Sequence, residues 1–200
     1  MRRLAIALFA AALVTGCSSS IPRHAAVFSP TPRPTPSPTP TLDPAATPIA
    51  TADTSSWVAV TGDGFSIKMP GAATSATSTV KTPVGDATMT TWTYTDANKQ
   101  GYYFERVASA PGSFAGAKQA DILDQVATSI VGSIPGGQII SQSEATLNGH
   151  AGRTATFGSI ATTLQCEFFV AGDAIYVADT TGTADDPLVQ AFFASFQLTV

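Results

Sequence analysis

Proline occupies every second position from Pro30 to Pro40, and this repeat restricts where the chain can fold. Proline lacks a backbone N–H and fixes φ, so such a stretch favours extended polyproline II and joins neither a helix interior nor a central strand. We therefore predict that residues 17–56 form an extended or disordered spacer rich in Pro and Thr. Residues 57–200, a stretch of 144 residues, are then long enough for one domain with its own core.

The first seventeen residues have the pattern of an export signal. Arg2 and Arg3 precede an apolar run of eleven residues, Leu4 to Val14, which is shorter than the about 20 residues of a membrane-spanning helix. The run ends in Val14-Thr15-Gly16-Cys17, which resembles the bacterial lipobox. The resemblance implies removal of a signal peptide of residues 1–16, acylation of Cys17 (palmitate is a typical chain) and anchoring on the extracytoplasmic face of the cell membrane. A plain secretory signal with a chance cysteine is the alternative.

The charge balance of residues 57–200 narrows the partners that the domain can bind. Six Lys or Arg residues stand against twelve Asp or Glu residues, a formal net charge of −6. A thinly charged, mildly acidic surface argues against nucleic acid and against docking on anionic headgroups. We therefore expect contact with the membrane through the lipid on Cys17, and no nucleic-acid partner.

The chain contains no motif with a known catalytic or metal-binding spacing. Gly-x-Ser-x-Gly, the phosphate loop, CxxC and His-Glu-x-x-His are all missing. His150 follows an Asn-Gly turn, where we expect a solvated side chain without the further ligands that zinc requires. Cys166 alternates with polar residues between Leu164 and Phe168, which predicts a buried thiol that packs as a small hydrophobe. The sequence thus predicts no enzyme, no cofactor and no metal site.

Hydrophobic periodicity predicts an α+β fold with a mainly antiparallel sheet flanked by helices, because the strand connections are short and each helix has one apolar stripe. Residues 117–131 have apolar side chains at spacings of three and four, with Ser113 as a candidate cap. Asp186-Pro187 opens a second helix, and Asn148-Gly149 is a hairpin turn. Residues 61–64 are predicted as a turn. The predicted strands are residues 65–69, 77–81, 87–95, 102–109, 138–147, 151–159, 162–170, 174–180 and 197–200.

Four short segments resemble the Mog1/PsbP-like group of bacterial envelope domains. They are a Phe-x-hydrophobic-x-x-Pro opening at 65–70, a Leu-x-Gly-x-x-Gly turn at 147–152, Ala-Ile-Tyr at 174–176 and a closing Phe-x-x-Ser-Phe at 192–196. The resemblance covers residues 57–200 and implies an antiparallel sheet flanked by helices. It transfers no catalytic residue, and members of the group are mostly accessory or binding proteins.

Aromatic side chains crowd two neighbouring predicted strands. By alternation Trp92 shares a face with Tyr94, and Tyr102 shares a face with Phe104. Core packing across the strands is one interpretation. The other is a binding groove, lined by these four residues, for a lipid, a glycan or a partner segment.

These patterns leave more than one function open. The first is a membrane-anchored lipoprotein that acts as a non-enzymatic binding or accessory module for a cell-envelope protein partner. The alternative is a carrier or sensor of an apolar ligand, a lipid or glycolipid, which the hydrophobic content of 44% and the aromatic strands favour. A hydrolase with an unrecognised site is the third.

Overall fold

The computed structural model describes residues 52–200. The predictions on the signal peptide, on Cys17 and on most of the spacer fall on residues outside this range. Among residues 52–200, no helix combines the length and the apolar character that are needed to cross a membrane.

The described residues form ten strands and two helices. The strands are β1 Val58–Gly62, β2 Phe65–Met69, β3 Thr74–Thr82, β4 Gly85–Thr95, β5 Gly101–Ala108, β6 Gln138–Leu147, β7 His150–Gly158, β8 Thr163–Ala171, β9 Ala174–Thr180 and β10 Gln197–Leu198. The helices are α1 Gln119–Ser133 and α2 Pro187–Ala194.

The strands pair as two antiparallel sheets. The small sheet has the order β1-β2-β10, and the large sheet has the order β3-β4-β5-β9-β8-β7-β6. Helix α1 carries the chain from β5, inside the large sheet, to the edge strand β6. Three hairpins then bring the chain back, so that β9 pairs with β5 and Phe104 lies opposite Ala178. The predicted α+β class with a mainly antiparallel sheet is confirmed.

Helix α1 packs on one face of the large sheet, here called the α1 face. Its buried side chains follow the predicted spacing: Ile122, Leu123, Val126, Ala127 and Ile130. They meet a mainly aliphatic set of strand residues that includes Phe157, Phe168 and Val177. The Arg153 guanidinium forms an ion pair with the Asp124 carboxylate and ties β7 to this helix.

Helix α2 and the small sheet cover part of the opposite face, here called the α2 face. The core on this side is aromatic, and Phe65, Phe104 and Phe196 are nearly or fully buried. The Phe104 ring lies 4.5 Å from the Phe65 ring and 5.1 Å from the Phe196 ring, measured between centroids. This packing holds the small sheet and α2 on the large sheet.

The segments that resemble the Mog1/PsbP-like group have structural roles in this packing. Asn148 and Gly149 have φ values of 51° and 85°, as the tight turn between β6 and β7 requires. Gly152 is needed because a Cβ there would lie 2.2 Å from the Phe169 ring. Ser195 ends α2 and accepts a hydrogen bond from Lys68 N at 2.9 Å, which joins the helix to β2.

Two local predictions are wrong. Thr61 and Gly62 belong to β1 and not to a turn, because Thr61 pairs with Ser66 and Gly62 with Phe65. Ser113 does not cap α1. The N-cap is Lys118, which makes no side-chain capping hydrogen bond.

Candidate functional site

A groove of about 290 Å³ opens on the α2 face of the large sheet. Its floor consists of β6, β7 and β8, and its wall consists of α2 with the residues before it. The polar floor residues are Ser141, Ser143, Thr154, Thr156, Gln165 and Glu167. The wall residues are Ala184, Val189, Gln190 and Phe193.

The floor consists of two rows of polar side chains that cross the three strands. Strand register places Ser143, Thr154 and Glu167 in one row, since each lies opposite the next. The row beside it holds Ser141, Thr156 and Gln165.

Hydrogen bonds within the rows order this surface. The Ser143 and Thr154 hydroxyls are 2.7 Å apart, and the Thr156 hydroxyl donates to Gln165 Oε1 at 2.9 Å. The Gln165 amide therefore presents its NH₂ group as the available donor. A surface that is organised before binding loses less conformational entropy when a ligand arrives.

The wall combines apolar surface with one amide. The half-buried Phe193 and the exposed Ala184 supply the apolar part, and Val189 is buried behind them. Gln190 is exposed on the helix. Gln190 Nε2 donates to the Ala184 carbonyl at 3.1 Å, so its Oε1 is the free acceptor. The helix is fixed at its start by the Asp186 carboxylate, which accepts from Leu188 N at 2.8 Å.

Glu167 supplies the charge of the groove. The lining from β6, β7, β8 and α2 contains no other titratable group on this face, and within residues 52–200 Glu167 has no cationic partner. Burial raises the pKa of the Glu167 carboxyl, because desolvation disfavours its charged form. The groove therefore holds a partly desolvated, unpaired negative charge.

A second polar cluster lies on the α1 face. Glu105 and Asp179 are buried on the neighbouring strands β5 and β9. Burial raises the pKa of Glu105 to about 7, although a hydrogen bond from Thr91 acts against the shift. Burial and the nearby Glu105 raise the pKa of Asp179 well above its ordinary value.

Cys166 is adjacent to this cluster, since it lies opposite Asp179 on β8. The thiol is buried and unpaired, as predicted from the alternation along the strand. Burial, with the nearby Asp179 as the second cause, raises the pKa of Cys166 well above its ordinary value. A thiol in this state is a poor nucleophile.

The four aromatic residues that the sequence singles out lie together but outside the groove. Trp92 pairs with Phe104, and Tyr94 pairs with Tyr102 across β4 and β5. Tyr102 and Phe104 are fully buried in the aromatic core, while Trp92 and Tyr94 are half-buried at its edge. None of the four lines the groove, and ligand binding by them stays a prediction.

Sequence reasoning missed the groove residues because they come from four elements that are distant along the chain. The usable signal was the alternation in β7 and β8, where hydroxyl, amide and carboxyl side chains occupy the face opposite Cys166 and Phe168. The buried pair had a clearer signal. Glu105 and Asp179 stand at inward positions of strands whose other inward residues are mostly apolar.

No protein-family model matches the chain, and no curated protein matches its sequence. Among solved structures, the chain is similar to the solution structure of cyanobacterial PsbP (CyanoP) from Synechocystis sp. PCC 6803. The identity is 10% and the TM-score 0.49, over 72% of this chain and 93% of that chain. A crystal structure of PA94 from Pseudomonas aeruginosa, a protein of unknown function, aligns at 13% identity and a TM-score of 0.35, over 70% of this chain and 92% of that chain. Neither structure assigns a function or a site to this chain.

Proposed function

We propose that the chain is a lipid-anchored extracytoplasmic lipoprotein with a Mog1/PsbP-like domain, and that it acts as a non-enzymatic binding module. Cys17 carries the lipid, and residues 17–56 hold the domain away from the membrane. The α2-face groove binds a cell-envelope protein partner.

The groove is the observation that carries this proposal. It combines ordered hydroxyl and amide groups, one carboxylate and an apolar wall, all anchored on strands and a capped helix. Convergent polar groups beside apolar surface are the usual composition of a specific binding site. A polar floor suits a polypeptide segment better than a lipid, which would leave the hydroxyl and carboxyl groups without partners.

Site-specific photo-crosslinking in intact cells tests the proposal. A photo-reactive amino acid replaces Ala184, an exposed residue of the groove wall, or, as a matched control, Ala120, an exposed alanine on α1. We expect the photo-reactive group at position 184 to capture one defined envelope protein and the group at position 120 not to capture it. Equal capture from both positions, or none from position 184, would contradict the assignment of the groove.

Replacing Cys17 tests the anchor separately. Cys17→Ser should release the protein into the soluble fraction or leave it unprocessed, because the acceptor thiol is lost. A variant that is still processed and membrane-bound like the parent would show that the chain is held by something other than a lipid on Cys17.

A further inference from the structure

We propose that the α2-face groove binds a lysine side chain of the partner, with the ammonium group against Glu167 and the methylene chain along α2. This inference rests on the proposed function and specifies the chemistry of the same site.

The charge of the groove selects the sign of its ligand. Glu167 contributes a carboxylate, and no Lys, Arg or His among residues 52–200 lines the groove. A phosphate, sulfate or carboxylate ligand would meet repulsion without a compensating cation. A cation instead compensates for the hydration that the Glu167 carboxylate loses on partial burial, and it does so in a site of reduced dielectric constant.

The distribution of acceptors fits an ammonium group. A lysine ammonium has three N–H donors and no acceptor. The Glu167 carboxylate is the first acceptor, and Gln190 Oε1 is free because its Nε2 donates to Ala184. Hydroxyl oxygens of Ser143 and Thr154, in the same row as Glu167, complete the set.

The apolar wall fits the rest of the side chain. Lysine buries its methylene chain along apolar surface while its head remains with polar partners. Phe193, which is half-buried, and the exposed Ala184 present such surface beside the polar floor. A guanidinium group requires several acceptors in one plane, and single acceptors from separate elements suit the compact ammonium group better.

Peptide binding to the full chain with Cys17→Ser tests the inference. The probe is acetyl-Gly-Lys-Gly-amide, and its matched control replaces Lys by norleucine, which keeps the chain and removes the charge. We expect the side-chain amide NMR signals of Gln165 and Gln190 to shift with the lysine peptide and not with the norleucine peptide. Equal shifts with both peptides would overturn the role of the ammonium group.

Two substitutions with the same change of charge locate the contact. Glu167→Gln should weaken binding of the lysine peptide at least about tenfold, as expected for a charge-assisted hydrogen bond. Glu144→Gln is the control, because Glu144 is exposed on β6 in the register position opposite Arg153, away from the groove. Equal weakening by both substitutions would show a diffuse charge effect and overturn the site.

Two other probes decide the source of the cation. Glucosamine carries the same ammonium group on a sugar, and acetyl-Gly-Arg-Gly-amide carries a guanidinium group. Tighter binding of either probe than of the lysine peptide would overturn the assignment to lysine. If the lysine peptide does not bind while the photo-reactive group at position 184 still captures an envelope protein in cells, the present inference fails and the proposed function stands.

Discussion

The two faces of the large sheet are covered by helices of different length, and the polar side chains of β8 differ in exposure between these faces. At 1.5 Å per residue, α1 with 15 residues is about 22 Å long, and α2 with 8 residues is about 12 Å long. On the α1 face, Glu105, Asp179 and Cys166 are buried. On the α2 face, a short helix leaves the polar rows of β6 to β8 open.

Neighbouring residues of one strand show the contrast directly. Cys166 and Glu167 are adjacent on β8, and their side chains alternate between the two faces. Cys166 is buried under α1, whereas Glu167 lies on the floor of the groove. The extent of the covering layer therefore decides which polar side chains of this sheet a partner can reach.

The largest expected effect is on the aromatic core of the α2 face. Phe104→Ala should lower the free energy of unfolding by about 3–5 kcal/mol, because it removes a fully buried ring packed on Phe65 and Phe196. Urea unfolding measures the change. A loss below about 1 kcal/mol would show that this face is loosely packed and would weaken the contrast between a closed core and an open groove.

The pH dependence of stability should come mainly from the α1 face, with a smaller contribution of the same sign from Glu167, whose pKa is also raised by burial. The folded-state pKa of Glu105 is about 7, above its ordinary value of 4.5, and burial raises that of Asp179 in the same direction. Folding therefore favours the protonated carboxyls, and the free energy of unfolding should fall as pH rises from about 4.5 through about 7. The expected loss between pH 5 and pH 8 is on the order of 2–3 kcal/mol.

Two variants test whether Glu105 and Asp179 cause this pH dependence of the free energy of unfolding. Glu105→Gln combined with Asp179→Asn should flatten it and raise stability at pH 8, and Glu144→Gln should leave it unchanged. Asp173 stays ionised through this range, because hydrogen bonds from Phe114 N and Gly112 N lower its pKa. A slope that survives the double substitution would place the titrating groups elsewhere in the domain.

Cys166 should behave as a packing residue with a smaller effect. Cys166→Ala should cost about 1 kcal/mol, the size expected for a small cavity in a core. Cys166→Asp should cost several times more, since a further carboxylate would be buried beside Asp179. A maleimide should label the thiol slowly in the folded chain and rapidly in urea. Equal labelling rates would show that the α1 face is open.

The parts of the fold that the sequence predicted are those with local signals. Asn148-Gly149 determines its own turn, Asp186-Pro187 starts its own helix, and the alternation around Cys166 assigns its side chain to the apolar face. Strand β1 was missed because it has only five residues and ends at Gly62, a residue type that disfavours strands, so pairing with β2 determines it. The groove was missed because its wall and floor meet only after β8 and α2 pack together.

The smallest expected effect on stability comes from replacing Glu167 in the groove. This substitution should not lower the free energy of unfolding, although it should lower the affinity for the partner. Glu167 is partly desolvated without a cationic partner, so ionisation of its carboxyl weakens folding slightly at neutral pH. Glu167→Gln keeps the shape and removes the charge, and it should therefore leave the free energy of unfolding unchanged or raise it by less than about 1 kcal/mol. The same substitution should strongly reduce capture of the partner by a photo-reactive group at position 184. Replacing a residue that stabilises the fold lowers the free energy of unfolding. Replacing a residue whose role is binding lowers the affinity for the partner instead. A clear loss of stability in Glu167→Gln would show that this carboxylate stabilises the sheet. The polar groups of both faces would then have a structural role.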